Sequence, residues 1–456
     1  MVSSTLIPIA KKRTDRWGQL SRDSGLLSFL SFLMSRARIA LLCLLTGLGY
    51  SLALSNIPTR YPLGILAWVA LIPLHSAVSH TTPRQAFLRG WLAGCFGFVG
   101  TVYWVVLAMH RYGQIPLAIS VGLMALLAVY LGVYIGLYTL CVAWLERRWS
   151  ATTVAVGAPC AWSALEFLRT HALSGFPWAL LGYSQFLTLP VIQVADITGV
   201  YGISALIVLV NVTLFQILRW VWTRQTANHS FLHSFPKTSV VVCLVWVTAI
   251  WWYGYWRLHQ EEALNQQSDH LHIGLVQANI DQAHKWDPAF QTETMARYTS
   301  LTRQVAGTDL IIWPEAATPF LFEQTPAYRA LIIELVREAG TPLLLGSPTL
   351  RRHQDGRPYL FNSAYLVSPS GETIGRYDKQ HLVPFGEYIP LKTFLFFLEK
   401  LVVGIGDFEP GTGATILQLP THSATSSNPF GVAICFEVIF PNLVRELAQA
   451  GAQFLV

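Results

Sequence analysis

The chain of 456 residues has 31 Lys and Arg against 25 Asp and Glu, a formal net charge of +6, and it is 53% hydrophobic but only 12% charged. This composition excludes an ordinary soluble protein and is typical of a membrane protein with a soluble part. The basic residues flank apolar segments and do not cluster on one domain, so they indicate cytoplasmic loops beside a membrane and no nucleic-acid-binding surface.

Residues 1–38 form a polar, basic segment ahead of the first long apolar run. No small-residue cleavage site follows and further apolar segments do, which argues against a signal peptide and favours a cytoplasmic N-terminal segment. Within it, Leu26–Met34 is apolar but too short to span a bilayer, so we expect it to lie along the membrane surface.

Residues 39–257 are predicted to form a membrane domain of about seven transmembrane helices, because a bilayer requires roughly 20 apolar residues per span. The predicted spans are residues 39–55, 62–79, 87–109, 116–144, 152–168, 199–221 and 238–256. Fourteen Lys and Arg lie near one set of span ends and four near the other. The positive-inside rule makes the first set cytoplasmic, and an odd number of spans then places everything after Arg257 outside the cytoplasm.

Residues 269–456 show short apolar runs that alternate with helical patterns, which predicts an α/β layer fold. The predicted helices are Phe290–Ala306, Tyr328–Ala339 and Asn442–Ala450. The predicted strands are His272–Gln277, Leu310–Trp313, Pro342–Gly346, Phe361–Val367, Glu372–Tyr377, Thr415–Leu419, Phe430–Ile434 and Gln453–Val456.

Cys435 follows an apolar strand and precedes polar and turn-forming residues, the position at which a nucleophile is presented. The other five cysteines lie in strongly apolar stretches, where a thiol usually behaves as a small hydrophobic group. A lone cysteine at a strand end is more often inert than catalytic, so the assignment depends on partners.

Two further stretches supply such partners. Glu315 ends the apolar run Leu310–Glu315, and Lys379 lies in the turn-rich segment Arg376–Pro390. A carboxylate as base, an ammonium as oxyanion stabiliser and a thiol as nucleophile are the parts needed for acyl transfer through a thioester. Taken alone, Glu315 is more simply explained as a strand-end carboxylate, Lys379 as a solvated loop lysine and Cys435 as a packed thiol. Their combination favours a catalytic site.

With these motifs the sequence resembles the nitrilase, or carbon–nitrogen hydrolase, superfamily, whose triad is Glu, Lys and Cys in that chain order. Joined to an apolar half with Glu166-Phe-Leu-Arg169 and Gly175-Phe-Pro-Trp178, it is similar to the apolipoprotein N-acyltransferase family. The resemblance implies a polytopic α-helical membrane domain followed by an incomplete nitrilase-like α-β-β-α sandwich.

The same resemblance implies the activity and the roles of Glu315, Lys379 and Cys435 as the triad. An acyl chain passes from a phospholipid, through a thioester on the cysteine, to the N-terminal amine of the S-diacylglyceryl-cysteine of apolipoproteins. The expected location is the bacterial inner membrane with the catalytic domain in the periplasm. Glu387 and Glu437 are expected to support the triad by positioning Lys379 or assisting proton transfer.

Trp286 and the apolar runs Phe394–Leu398 and Leu401–Val403 are expected to form a substrate-binding lid or arm at the lipid surface, with a buried core helix as the alternative. We expect a monomer. The histidines and cysteines have no metal-ligand spacing and there is no Gly-rich phosphate loop, so no metal and no cofactor are predicted.

Two other functions stay open at this stage. A membrane-tethered amidase would use the same triad with water or ammonia. A transporter or binding protein would leave the soluble part inert, although the predicted spans hold few internal charges for a substrate path. The last predicted strand stops at Val456 without a turn or polar tail, and members of the resembling family continue beyond it, so we expect the sequence to be a piece of a longer protein.

Overall fold

The computed structural model describes residues 35–55, 63–226, 235–282, 284–384, 386–388, 408–420 and 427–456. Most of the predicted N-terminal segment, including Leu26–Met34, lies outside the described residues, as do the predicted lid segments Phe394–Leu398 and Leu401–Val403. The chain divides into two compact units. The helical unit lies within residues 1–102, 125–169 and 179–255, and the sheet unit comprises residues 103–124, 170–178 and 256–456.

Apolar helices of four to 32 residues dominate the N-terminal part. They are α1 Ser35–Ala53, α2 Ile72–Val78, α3 Pro83–Val102, α4 Trp104–Leu107, α5 Leu117–Glu146, α6 Ala151–His171, α7 Leu189–Ile192, α8 Ala195–Thr226 and α9 Lys237–Asn265. Among the described residues, five of these helices are long and apolar enough to cross a membrane: α1, α5, α6, α8 and α9. A sixth candidate is α3 continued by Trp104–Tyr112, bent by 47°.

Small residues let α3 and α5 approach closely. Gly90 and Gly94 on α3 face Thr139, Gly132 and Ile135 on α5, and a Cβ added to Gly94 would lie 2.8 Å from the Gly132 Cα. In lipid the hydrophobic effect does not drive helices together, so close backbone packing at such small-residue stripes holds them.

The predicted span 62–79 is not one helix in the structure. A 3-10 helix, Leu63–Trp68, ends before α2 begins, and Pro73 lies in the first turn of α2. Proline suits a helix start because it has no N–H to donate, and it does not continue a preceding helix. The number of membrane crossings, and with it the side on which the soluble part lies, stays a prediction.

The sheet unit contains eight described strands in two sheets. The first sheet has the order β1 Ile273–Leu275, β2 Leu310–Ile312, β3 Leu343–Arg352, β4 Pro358–Val367, β5 Thr373–Asp378. The second has the order β6 Ile416–Pro420, β7 Ser427–Gly431, β8 Phe454–Leu455. The first three strands are parallel, whereas β3, β4 and β5 are antiparallel. The strand predicted at Phe430–Ile434 begins and ends three residues earlier than expected.

The two sheets pack face to face and helices cover their outer faces. Leu344, Leu366 and Tyr377 of the first sheet share one buried cluster with Leu417 and Phe430 of the second. On the other side of the first sheet, residues of α10 Gln291–Gln304 and α11 Pro326–Ala339 form a second buried cluster with the strands. The helix α12, Pro441–Gln449, buries its Leu447 against Gly431 of β7. The predicted α-β-β-α sandwich is therefore confirmed.

Candidate active site

Three strand ends carry the predicted triad. Glu315 follows β2, Lys379 comes directly after β5, and Cys435 opens a 3-10 helix, Cys435–Ile439, that follows β7. Side chains at strand ends leave the sheet interior while the strand fixes their backbone, which is how rigid scaffolds hold reactive groups.

The Lys379 ammonium lies between two carboxylates. Its Nζ is 3.3 Å from the Glu315 Oε1 and 3.0 Å from the Glu387 Oε1, and only 1% of its side chain is exposed. Burial acts to lower the pKa of Lys379, but the charges of Glu315 and Glu387 outweigh burial, and the pKa is raised. The lysine is therefore held in its charged form.

Asn362 on β4 joins the same two carboxylates. Its Nδ2 donates to the Glu315 Oε1 at 2.6 Å and to the Glu387 Oε1 at 2.8 Å, while its backbone oxygen accepts from the Lys379 N–H at 2.8 Å. The Val383 N–H donates to the other oxygen of Glu387 at 2.8 Å. An amide group with two N–H donors thus separates two carboxylates that would otherwise repel one another.

The Cys435 thiol lies within electrostatic reach of the Glu315 carboxylate and of the Lys379 ammonium. The cysteine is exposed and has a left-handed backbone conformation with φ of 56°, which is costly for a residue with a Cβ and is found at functional sites. Burial raises the pKa of the thiol, and Glu315 raises it further, whereas Lys379 lowers it. The net shift is upward, so the resting thiol is neutral and needs a base during attack.

Glu437 is fully buried. Among the described hydrogen bonds, none joins its side chain to Lys379 or Cys435. Its carboxylate accepts from the Tyr377 hydroxyl at 2.8 Å and from the backbone N–H groups of Gln380 at 2.6 Å, His381 at 3.0 Å and Ile434 at 2.7 Å. It therefore ties the backbone that follows Lys379 to the backbone that precedes the nucleophile.

The backbone at Glu315 is held closely by its neighbours. Ala316 has a left-handed φ of 46°, and Gly346 on β3 lies so near that an added Cβ would be 2.6 Å from both the Ala316 N and the Pro314 O. Lys285 adds a third contact, since its Nζ donates to the Glu315 backbone oxygen at 3.1 Å. The orientation of the carboxylate is thus fixed from the backbone as well as from its side-chain partners.

Lys285 and Asn362 belong to the site although the sequence reasoning missed both. Burial lowers the pKa of Lys285, and the Glu315 carboxylate and the thiolate form of Cys435 oppose that shift, which places the Lys285 ammonium within electrostatic reach of both groups. Two sequence features could have indicated them: Lys285 directly precedes Trp286, and Asn362 is a polar residue inside an apolar strand.

Trp286 is 48% exposed, and no described ring contact or hydrogen bond links it to the triad. Its role in substrate binding stays a prediction. Among the residues that the structure describes, no group of three or more His, Cys, Asp or Glu side chains is placed to hold a metal ion.

Comparison with known proteins matches each part of the chain to a family. Residues 46–213 match the apolipoprotein N-acyltransferase N-terminal domain, and residues 272–456 match the carbon–nitrogen hydrolase domain. The apolipoprotein N-acyltransferase of Geobacter metallireducens is 43% identical over 396 residues, which cover 86% of this chain and 72% of that protein. The chain belongs to the apolipoprotein N-acyltransferase family. The Methylococcus capsulatus member is 31% identical, covering 88% of this chain and 74% of the relative.

Among solved structures, an amidase from Nesterenkonia sp. is 22% identical and matches 41% of this chain and 63% of its own length, with a TM-score of 0.29.

Gly346→Ala tests whether the close approach of β3 sets the Glu315 carboxylate. We expect the variant to fold but to lose most acylation of Cys435, because the new Cβ must displace the Pro314–Ala316 backbone and with it the carboxylate. Covalent labelling of the thiol by a lipid ester measures the loss. A matched Gly122→Ala variant, whose added Cβ meets nothing within 4 Å, should label normally. Normal labelling of Gly346→Ala would show that the site tolerates the displacement.

Proposed function

We propose that this chain transfers an acyl chain from a phospholipid, through a thioester on Cys435, to the N-terminal amine of the S-diacylglyceryl-cysteine of apolipoproteins. The observation that supports the proposal is the single cluster in which the thiol, the Glu315 carboxylate and the buried Lys379 ammonium meet. Family membership supplies the lipid and lipoprotein substrates, and the apolar helices make the chain a multi-pass membrane protein.

In the first step Glu315 takes the thiol proton while the Cys435 sulfur attacks the ester carbonyl carbon of the phospholipid. An ammonium has three N–H donors, and two of those on Lys379 bind Glu315 and Glu387, which leaves one for the developing oxyanion. The ester C–O bond then breaks. Glu315 returns its proton to the departing lysophospholipid oxygen, and the acyl group remains on sulfur as a thioester.

In the second step the acceptor amine attacks the thioester carbonyl carbon. Glu315 removes the proton that the nitrogen loses, the same ammonium binds the oxyanion, and the C–S bond breaks to release the amide. The proton then passes from Glu315 to the thiolate. The raised pKa of Cys435 favours this return, because a more basic thiolate recovers its proton readily.

Glu387 and Glu437 have different supporting roles in this proposal. Glu387 binds the Lys379 ammonium directly, so it sets the position of the positive charge and helps to keep it charged. Glu437 acts through the backbone: its bonds to the N–H groups of Gln380 and Ile434 fix the distance between the lysine loop and the nucleophile turn.

Both substrates are anchored in a membrane, which explains why the catalytic domain is joined to apolar helices. We propose the domain limits 1–38, 39–257 and 269–456, a location in the bacterial inner membrane, a periplasmic catalytic domain and a monomeric protein. The excess of basic residues at one set of predicted span ends supports the periplasmic placement.

The central test is a thioester at Cys435. Full-length protein incubated with phospholipid labelled in its acyl chain should acquire label that neutral hydroxylamine releases, because hydroxylamine cleaves thioesters. Cys435→Ala should acquire none, while Cys243→Ala, which removes a thiol of the helical unit, should label like the parent chain. Equal labelling of Cys435→Ala would refute the assignment, and label from a simple amide but not from lipid would indicate an amidase.

Glu315→Gln and Lys379→Met test the two other triad roles. The first removes the base and the second the oxyanion charge, and each is expected to slow thioester formation by about a hundredfold or more. Single-turnover labelling measures the rate. A near-normal rate of thioester formation in Glu315→Gln would show that another carboxylate acts as the base.

Lys285→Met tests the second cation. Without that positive charge the pKa of the Cys435 thiol should rise further, so the pH profile of its alkylation by iodoacetamide should move to higher pH. Lys285→Arg keeps the charge and should restore the profile. If Met and Arg variants give the parent profile alike, Lys285 acts only on the local backbone.

A further inference from the structure

The helical unit contains a second chemically distinctive feature, a cavity of about 290 Å³ at one end of its helices. The end of α5, the start of α6 and the last turns of α8 contribute to its walls. Its polar lining residues are His75, His80, Thr81, Glu146, Arg147, Gln216 and Arg219. The triad residues all belong to the sheet unit, so the reaction proposed above does not use this cavity.

Arg219 presents a cationic fork to the cavity. Its Nη2 donates to the His80 Nε2 at 2.7 Å and its Nη1 lies 3.5 Å from the Ser79 Oγ. Because a guanidinium can only donate, the His80 nitrogen must accept, so this ring is neutral. The Arg219 guanidinium has five N–H donors, and these two contacts use two of them. The remaining donors can bind an anionic oxygen. Arg147 adds a second cation to the lining.

Acceptors line the same cavity. Glu146 is the one carboxylate among the described lining residues. The Oε1 of Gln216 is buried and has no hydrogen-bond partner among the residues that the structure describes, although its Nε2 donates to the Ala151 oxygen at 2.8 Å. A buried acceptor without a donor is costly, which points to a bound group that carries N–H or O–H.

The residues around the cavity indicate the source of that group. Trp149 and Trp220 line it beside helix ends, and tryptophan is enriched at the level of the lipid headgroups. Two further basic residues, Arg84 and Lys237, lie within three residues of the lining residues Thr81 and Pro236 in the chain. Basic pockets between transmembrane helices bind lipid headgroups. A volume near the lower limit for ligand pockets suits a headgroup and not a whole lipid.

We propose that this cavity binds the headgroup of an amine-bearing phospholipid, with its phosphate on Arg219 and Arg147 and its ammonium on Glu146 and the Gln216 Oε1. The pairing uses both charges of the lining and supplies the donor that Gln216 lacks. The acyl chains of such a lipid stay in the bilayer, so the site holds an intact lipid as a ligand of the helical unit and consumes nothing.

Native mass spectrometry of the full chain provides the test. The Cys435→Ala variant is used throughout so that no lipid is consumed, which keeps the result independent of the proposed acyl transfer. The chain is titrated with phosphatidylethanolamine, with phosphatidylcholine of the same acyl chains, and with free phosphoethanolamine. We expect the protein to retain one phosphatidylethanolamine molecule. Arg219→Gln and Glu146→Gln should each lower the affinity for this lipid by about tenfold to a hundredfold.

Arg148→Gln is the matched control, since Arg148 adjoins Arg147 but lies over the Trp144 ring and does not line the cavity. It should retain the lipid. Gln216→Leu removes the unpaired acceptor with little change of side-chain volume, and it replaces a charge variant that fails to fold. It should weaken the binding of phosphatidylethanolamine and leave the binding of phosphatidylcholine unchanged. Equal retention of both lipids, equal binding of free phosphoethanolamine, or no effect of the lining variants would overturn the proposal.

Discussion

A buried ammonium between two carboxylates is the interaction on which the catalytic part of this chain depends. An unpaired charge in a protein interior costs several kcal/mol, so Lys379 can be buried only where Glu315 and Glu387 both reach it. Lys379 and Glu387 lie on the segment that follows β5, whereas Glu315 lies on the loop that follows β2. Their convergence therefore requires the strands to pair in one register, because a slip of one residue would turn each side chain to the opposite face.

The three candidate triad residues could be proposed from the sequence because Glu315 and Cys435 follow local apolar patterns, and because the family resemblance indicated that Lys379 joins them. Asn362 and Lys285 could not, since their contributions arise from partners 47 and 30 residues away in the sequence. Local periodicity indicates which residues a strand contains, but not which distant carboxylate an amide in that strand will meet.

The fold shows the same boundary between local and tertiary information. Hydropathy indicated several apolar segments, yet it treated 62–79 as one span, whereas the structure has a 3-10 helix, Leu63–Trp68, before α2 begins at Ile72. The strands β4 and β5 were predicted close to their observed positions, because the alternation of apolar and polar residues along a strand is local. The packing of its sheet against a second sheet came from the family resemblance, since no pattern in either sheet specifies the partner face.

The neutral state of the Cys435 thiol has a consequence for its chemical durability. Oxidants and adventitious electrophiles react with thiolates and far less with thiols, and this sulfur is exposed. In the proposed mechanism the thiol loses its proton only when Glu315 takes it during attack, so between turnovers the neutral thiol reacts slowly with such compounds. In the described part of the sheet unit it is also the one cysteine, so no neighbouring thiol there can close a disulfide and inactivate it.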